Sequence, residues 1–405
     1  MTTGTRTDDL DLAVVGAGLV GAAFAATAAR AGFSVVLLEA NAPQAAPRAV
    51  DIGLRVSALS RASERLLREV GAWDAVASDR RCAYGRMVVW DAAAADASEV
   101  VFDAADLGEP DLGHIVENRA LQHALWQAAG AAGVELRAPA TLSGLEVAAR
   151  QATITLADGS TLGARLVVAA DGAGSPLRTL AGLGVDAQDY DQHAVVAHLR
   201  SMAPHQSTAW QRFQPGGPLA LLPLADGRVS IVWSTAPEHA AELLALDDAT
   251  FGAAVTDASG GRLGALTAAS SRARFPLRRQ HAERYAGDRV VLIGDAAHVV
   301  HPLAGQGVNL GFQDAVALLA ALEAARAAGD DIGEPATLRR YERARRGANA
   351  AMVELMDGFK RLFGDTRAPV VALRDAGMRA FDHSGPLKRA VMRGALGLDG
   401  MGPAP

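Results

Sequence analysis

Three carboxylates stand directly after apolar runs in this chain. Glu39 follows Phe33 to Leu38, Asp171 follows Leu166 to Ala170, and Asp295 follows Val290 to Gly294. An acid at the carboxyl end of a strand lies where open α/β sheets bind ligands, and its oxygens can accept hydrogen bonds from sugar or polyol hydroxyls. Gly16, Gly18 and Gly21 form a G-x-G-x-x-G pattern about 20 residues before Glu39, a spacing at which the glycines admit a pyrophosphate and the acid holds an adenosine ribose. Glu39 favours an unphosphorylated ribose, so FAD or NAD suits this position better than NADP. Asp171-Gly-Ala-Gly-Ser175-Pro176 leads to Arg178, with Ser175 as a helix N-cap and Pro176 in the first turn. After Asp295, the residues Pro302, Gly305, Gln306, Gly307 and Asn309 make a turn where backbone can approach a flat or charged group. The helix that starts near Val308 then offers its N-terminus to partial negative charge. Arg55 precedes one helix. Arg119 stands near the start of another, where acids are favoured, and a phosphate or carboxylate nearby would explain it.

Strands and helices must bring these residues together. Leu10 to Val15 reads as a short strand, Ala22 to Ala31 as an alanine-rich helix stopped by Gly32, and Phe33 to Leu38 as a second strand. Further strands are expected at Met87 to Trp90, Glu99 to Phe102, Leu142 to Val147, Ala152 to Leu156 and Arg165 to Ala170, with Asp158-Gly159 as a hairpin turn. From Val185 to Pro276 the pattern changes to alternating strands separated by Gly216-Gly217 and Asp226-Gly227, with no phosphate-loop signal, followed by one helix over Glu238 to Ala254. Pro335 to Ala350 reads as a helix whose arginines, Arg339-Arg340 to Arg345-Arg346, form a solvated face. The expected fold class is α/β: a Rossmann-like FAD-binding domain with an inserted, mainly antiparallel β-sheet substrate domain and a C-terminal helical tail. The expected boundaries are 8–75, 103–182 and 278–334 for the cofactor domain, 76–102 and 183–277 for the substrate domain, and 335–400 for the tail.

Composition narrows the function. The net charge of -6 and the lack of a long basic run argue against nucleic acid as a partner. Cys82 is the sole cysteine, which rules out an intramolecular disulfide and a dithiol redox centre, and makes a reducing cytoplasm the natural setting. His298 and His301 have no carboxylate or cysteine partner at ligand spacing, so no metal is expected. No stretch reaches the roughly 18 apolar residues of a spanning helix, which leaves at most peripheral membrane contact. A single G-x-G-x-x-G argues against a second nicotinamide domain, and a cofactor gripped at several points fits a resident flavin.

Gly16-Gly18-Gly21, Asp171-Gly172 and Gly294-Asp295 match the three motifs of the group A FAD-dependent aromatic hydroxylases, the para-hydroxybenzoate hydroxylase fold. Arg55-Val-Ser-Ala-Leu-Ser, Glu117-Asn-Arg119-Ala-Leu-Gln and His301-Pro-Leu-Ala-Gly-Gln-Gly-Val-Asn-Leu-Gly resemble, more narrowly, the UbiH/UbiF/VisC family of ubiquinone-biosynthesis hydroxylases, over about residues 10 to 350. The resemblance implies FAD as cofactor, NAD(P)H as transient co-substrate, and O2 taken up at flavin C4a as a hydroperoxide that hydroxylates an electron-rich ring. It implies a polyprenyl phenol or other aromatic as substrate, and a ubiquinone-biosynthesis complex or membrane proximity as setting. By the same resemblance Asp295 bonds the ribityl chain, Pro302 and Gly305 to Asn309 flank the isoalloxazine, and Asp171 to Arg178 serve both cofactors. Arg55 and Arg119 contact FAD. The sequence offers no acid or base that can be placed beside a substrate hydroxyl.

Overall fold

Leu12–Val15 lies at the centre of a six-stranded sheet whose order is Ala286–Gly287, Val290–Leu292, Leu166–Ala169, Leu12–Val15, Val35–Leu38 and Glu135–Arg137. The structure, a computed structural model, describes residues 10–41, 51–93, 98–301 and 307–398. The pairings are parallel except at the Ala286–Gly287 edge. Every residue of Leu12–Val15, Val35–Leu38 and Leu166–Ala169 is buried, as expected of parallel strands covered on both faces. The chain leaves Leu12–Val15 for Val35–Leu38 on one side and returns much later on the other as Leu166–Ala169, so the strand order reverses at the central strand. A crevice outside the carboxyl ends of such a pair is where open α/β sheets bind ligands.

The helices Leu19–Arg30 and Asn118–Ala131 pack against each other, and Gly307–Ala328 packs on Leu19–Arg30. Alanine at five of the seven buried positions of Leu19–Arg30 permits these close approaches, and the helix ends where Gly32 turns at φ +84°. Phe24 is fully buried there, so Phe24→Ala should cost about 3–5 kcal/mol. The helix Gly307–Ala328 differs from the sequence expectation. It is long and apolar enough to cross a membrane by length and composition, but more than half of its most apolar stretch is buried, with Phe312, Leu318 and Leu322 in the main core. Its apolar surface is largely spent on packing.

The second large sheet has nine strands. Its main path runs His298–Val299, Ala273–Ala282, Val185–Ser201, Val229–Thr235, Leu219–Pro223, Thr208–Phe213, Arg86–Asp91 and Glu99–Asp103, and Leu266–Ala268 pairs with Val185–Ser201 off that path. A register shift between Asp189 and Gln192 interrupts the 17-residue strand Val185–Ser201, and a bulge of this kind re-aims side chains. The single helix expected over Glu238 to Ala254 is two, Pro237–Ala245 and Asp248–Ala258. Asp247 separates them because its carboxylate caps the second by accepting from Thr250 N–H at 2.9 Å. The tail folds back: Pro335–Gly364 packs on Gly307–Ala328, and Ala368–Asp382 packs on Glu99–Asp103.

Candidate cofactor site

The glycines divide by what each one serves. Gly16 takes φ +101°, and a Cβ there would lie 2.4 Å from the Ala170 carbonyl oxygen. A Cβ on Gly21 would lie 2.0 Å from the Gly16 carbonyl oxygen. Both are glycine because protein presses on them. Gly18 is the N-cap of Leu19–Arg30 with φ -65° and ψ -179°, a conformation open to any residue. Among the described residues, nothing beyond its chain neighbours lies within 4 Å of where its Cβ would be. The bare space above Gly18, at a helix N-terminus, is the shape a pyrophosphate needs.

Glu39 sits at the next strand end and already accepts two backbone bonds, from Ala17 N–H at 2.8 Å and Asn41 N–H at 3.1 Å. Its carboxylate therefore holds the glycine loop, and with about four acceptor positions it retains room for a sugar hydroxyl. Gln122, not singled out from the sequence, supports the same loop by donating to the Ala17 carbonyl at 2.9 Å. Arg119 lies one turn before Gln122 on that helix face, is exposed, and has no hydrogen-bond or ion-pair partner among the described residues.

The Asp171 and Asp295 loops are tied to each other. Ser175 is the N-cap of the short helix Pro176–Leu180, accepting from Arg178 N–H at 2.9 Å, and Asp171 supports that cap by accepting from Ser175 Oγ at 2.5 Å and Leu177 N–H at 3.0 Å. Arg178 is buried, and its guanidinium donates to the Ala296 carbonyl at 2.8 Å and the Ala173 carbonyl at 2.9 Å. Gln280 also donates to Ala173 O at 3.0 Å. Arg178 is thus a strut between two loops. Asp295 differs from both: its side chain is exposed to solvent and accepts no hydrogen bond from any described residue. Surrounding protein raises its carboxyl above the ordinary value, against the pull of His298 and Arg55. The Arg55 guanidinium lies 5.9 Å from the Phe275 ring centroid. Its loop is fixed by Arg80, which donates to the Asp51 carbonyl at 3.0 Å and to Glu117 at 3.0 Å, and by His198 at 3.1 Å from the Gly53 carbonyl.

Two helix N-termini converge beside Asp295. A Cβ on Gly311 would lie 2.5 Å from Val20, and one on Gly294 would lie 3.3 Å from the same side chain. Gly307 begins the second helix, and among the described residues nothing lies within 4 Å of where its Cβ would be. The Asn309 side chain is engaged with protein. It is buried, accepting from Ser60 N–H at 3.0 Å and Ser63 Oγ at 2.7 Å while donating to the Ala58 carbonyl at 2.9 Å. It staples the helix start to the segment after Arg55. Pro302, Gly305 and Gln306 lie outside the described residues.

Beneath Asp295 is a buried polar network that the sequence reading missed. Asp314, 0% exposed, accepts from Gly294 N–H at 3.1 Å, His298 Nε2 at 2.5 Å, Arg345 Nε at 2.8 Å and Asn349 Nδ2 at 3.0 Å. Burial pushes its carboxyl up, but His298 and Arg345 outweigh that and hold it below the ordinary value. Four donors fill the carboxylate's four acceptor positions. Arg345, expected on a solvated face, is instead buried against Asp314, because Pro335–Gly364 turns that side toward Gly307–Ala328.

His301, the last residue described before position 302, is anchored by the re-aimed strand. Its Nε2 lies 3.3 Å from Gln192 Oε1, and its ring meets Tyr190 edge-on at 4.9 Å. The Tyr190 hydroxyl donates to Asp357, and Lys360 donates to the Tyr190 carbonyl at 2.9 Å. Burial first, and then the Lys360 charge, lowers His301 to about 4. Burial also lowers His198 and His281. An unfolded chain with ordinary histidines near 6.5 gains protons before the folded one does. His301's contribution should therefore be complete above about pH 6.5 and fall by on the order of 2–3 kcal/mol as pH drops toward 4. Urea unfolding at pH 7 and 4.5 should show the loss, and His301→Asn should reduce the difference between the two midpoints. An unchanged difference would reject the assignment.

A parallel sheet with its glycine turn, strand-end acids and converging helix N-termini, set against a large antiparallel sheet, defines a dinucleotide-cofactor oxidoreductase of two-sheet architecture. The chain belongs to the FAD binding domain family, whose model matches residues 9–356. It is 40% identical over 391 residues to the 3-demethoxyubiquinol 3-hydroxylase of Escherichia coli, covering 96% of this chain and 98% of that protein. It is 37% identical to the human mitochondrial ubiquinone biosynthesis monooxygenase COQ6, over 96% and 93% of the two chains. Among solved structures it resembles the OxyS anhydrotetracycline hydroxylase of Streptomyces rimosus at 25% identity and a TM-score of 0.71, covering 97% and 77%. It shares its fold with the p-nitrophenol 4-monooxygenase of Pseudomonas putida at 19% identity and a TM-score of 0.76, covering 96% and 98%. The protein is an FAD-dependent monooxygenase of the aromatic-hydroxylase type, with NAD(P)H the reductant typical of its family.

Proposed function

We propose that this monooxygenase hydroxylates the ring of a polyprenyl phenol in ubiquinone biosynthesis. The Escherichia coli relative, alike over nearly its whole length, is named for 3-demethoxyubiquinol. The observation that carries the site is the open carboxylate of Asp295, lacking a hydrogen-bond donor among the described residues where two helix N-termini meet. Bound FAD supplies the redox chemistry, taking reducing equivalents from NAD(P)H and passing one oxygen atom of O2 to an electron-rich ring. Gly16, Gly18 and Gly21 present the pyrophosphate site, Glu39 the adenosine ribose site, and Asp295 the ribityl site. Arg55 and Arg119 add positive charge toward the cofactor, Arg178 and Asp171 hold the two loops in register, and Gly307 and Asn309 set the N-terminus under the flavin. Segments 8–75, 103–182 and 278–334 hold the cofactor. Segments 76–102 and 183–277 face it and orient the substrate while excluding water. The setting is a reducing cytoplasm beside a membrane, where so lipophilic a phenol resides.

Mass spectrometry of quinone precursors in a strain lacking the gene tests the substrate. A specific under-hydroxylated polyprenyl precursor is expected to accumulate; an unchanged quinone profile in a strain with no second hydroxylase would overturn it. Asp295→Ala tests the ribityl assignment, because a lost charge-assisted bond to a hydroxyl should weaken FAD binding by about 10- to 100-fold. Gel-filtered Asp295→Ala should emerge colourless, and a fully yellow preparation would refute the role.

A further inference from the structure

The last two helices, Ala368–Asp382 and Pro386–Leu396, already spend one face on the body of the protein. Met378 packs in a cluster with Val100 and Phe213, and Met392 and Leu396 pack with Ala104 and Leu112. Arg374, buried, pairs with buried Asp91. An amphipathic surface helix should then turn polar residues outward. These do not. Leu373 is 76% exposed, Leu387 58% and Val391 47%. Ala376 and Ala380 continue the Leu373 stripe at helical spacing, both exposed. Leu362, near the end of the preceding helix, is exposed as well. Half of the ten large apolar side chains most exposed in the described structure fall between residues 355 and 391. Such concentration marks a surface that something else covers.

Charge selects the occupant. Between residues 360 and 398 there are eight lysines and arginines against three aspartates, in a chain whose net charge is -6. Exposed Arg361 and Arg389 form no ion pair among the described residues. A two-fold dimer through this face would set the basic patch against itself, because a two-fold interface brings the same surface of each copy together. An apolar stripe with arginines at its flanks matches an anionic bilayer surface, which takes the side chains at the headgroup boundary and the cations at the lipid phosphates. We infer that the outward face of the two C-terminal helices docks this enzyme on anionic phospholipid membranes. The inference does not depend on the substrate, since empty vesicles suffice to test it.

The FAD-loaded, full-length protein would be sedimented with vesicles of phosphatidylglycerol and phosphatidylcholine, and with phosphatidylcholine alone. The wild type should partition to the anionic vesicles about tenfold or more above the neutral ones, and salt should weaken it. The triple variant Leu373→Asp, Leu387→Asp, Val391→Asp, and separately Arg361→Glu with Arg389→Glu, should each lose that binding while keeping FAD content and circular dichroism. Wild-type protein that stays in the supernatant, or variants that bind as well as wild type, would overturn the docking face. So would a wild-type dimer in analytical ultracentrifugation that the triple variant disperses, because a second copy would then be the occupant.

Discussion

Gly18→Val is expected to yield a folded protein that no longer keeps FAD. The glycine's backbone, at φ -65° and ψ -179°, is one that valine adopts without strain. Among the described residues beyond its chain neighbours, no atom lies within 4 Å of the new Cβ, so thermal stability of the cofactor-free protein should change by no more than about 0.5 kcal/mol. What the valine occupies is the space over the helix N-terminus, where the phosphates must reach backbone N–H groups. Loss of one or two hydrogen bonds to a charged group, each worth about 1.5–3 kcal/mol, should weaken FAD binding at least about 10-fold. Gly21→Val is the contrast. Its Cβ would stand 2.0 Å from the Gly16 carbonyl oxygen, so it should destabilise the protein whether FAD is present or not. Fluorescence titration of apo-protein with FAD, beside urea unfolding, separates the two. A Gly18→Val protein that binds FAD normally would remove the pyrophosphate from this loop.

Asp314→Ala should be among the most damaging single changes for stability. The carboxylate is fully buried and receives a backbone N–H, a histidine, an arginine and an asparagine. Removing it strands the buried Arg345 cation and leaves three other donors unmatched, a loss of about 3–5 kcal/mol. The damage should also reach the cofactor, because Gly294 N–H is one of those donors and the turn it fixes carries Asp295. Asp314→Asn keeps the shape but gives up charge, so it should fall between wild type and alanine. Urea midpoints and retained FAD should follow that order; an alanine variant as stable as wild type would show that the network carries little energy.

Part of this site was legible in the sequence because it is local. The run of apolar strand, Gly16-x-Gly18-x-x-Gly21, helix and Glu39 lies within one βαβ unit, and each residue's task follows from covalent spacing. Asp171 and Asp295 were readable for the same reason, as acids directly after apolar runs. The partners of those residues were not. Asn309 looked like a flavin contact by its motif, yet its side chain serves Ser60, 249 positions away. Arg345 looked solvated because five arginines crowd residues 339 to 346 of one helix, and nothing in a single helix says which of them meets Asp314. Gln122 carried no motif at all.

The sequence by itself determined the class of cofactor and singled out candidate stations along it, since glycine turns and strand-end acids act through the backbone of short contiguous segments. Tertiary structure alone decided which of those residues face open space and which serve the protein, leaving Gly18 and Asp295 open and Asn309 and Arg178 enclosed. The reason is physical: whether a polar atom is free for a ligand depends on every donor within about 3 Å of it, and here those donors arrive from strands and helices far apart in the chain.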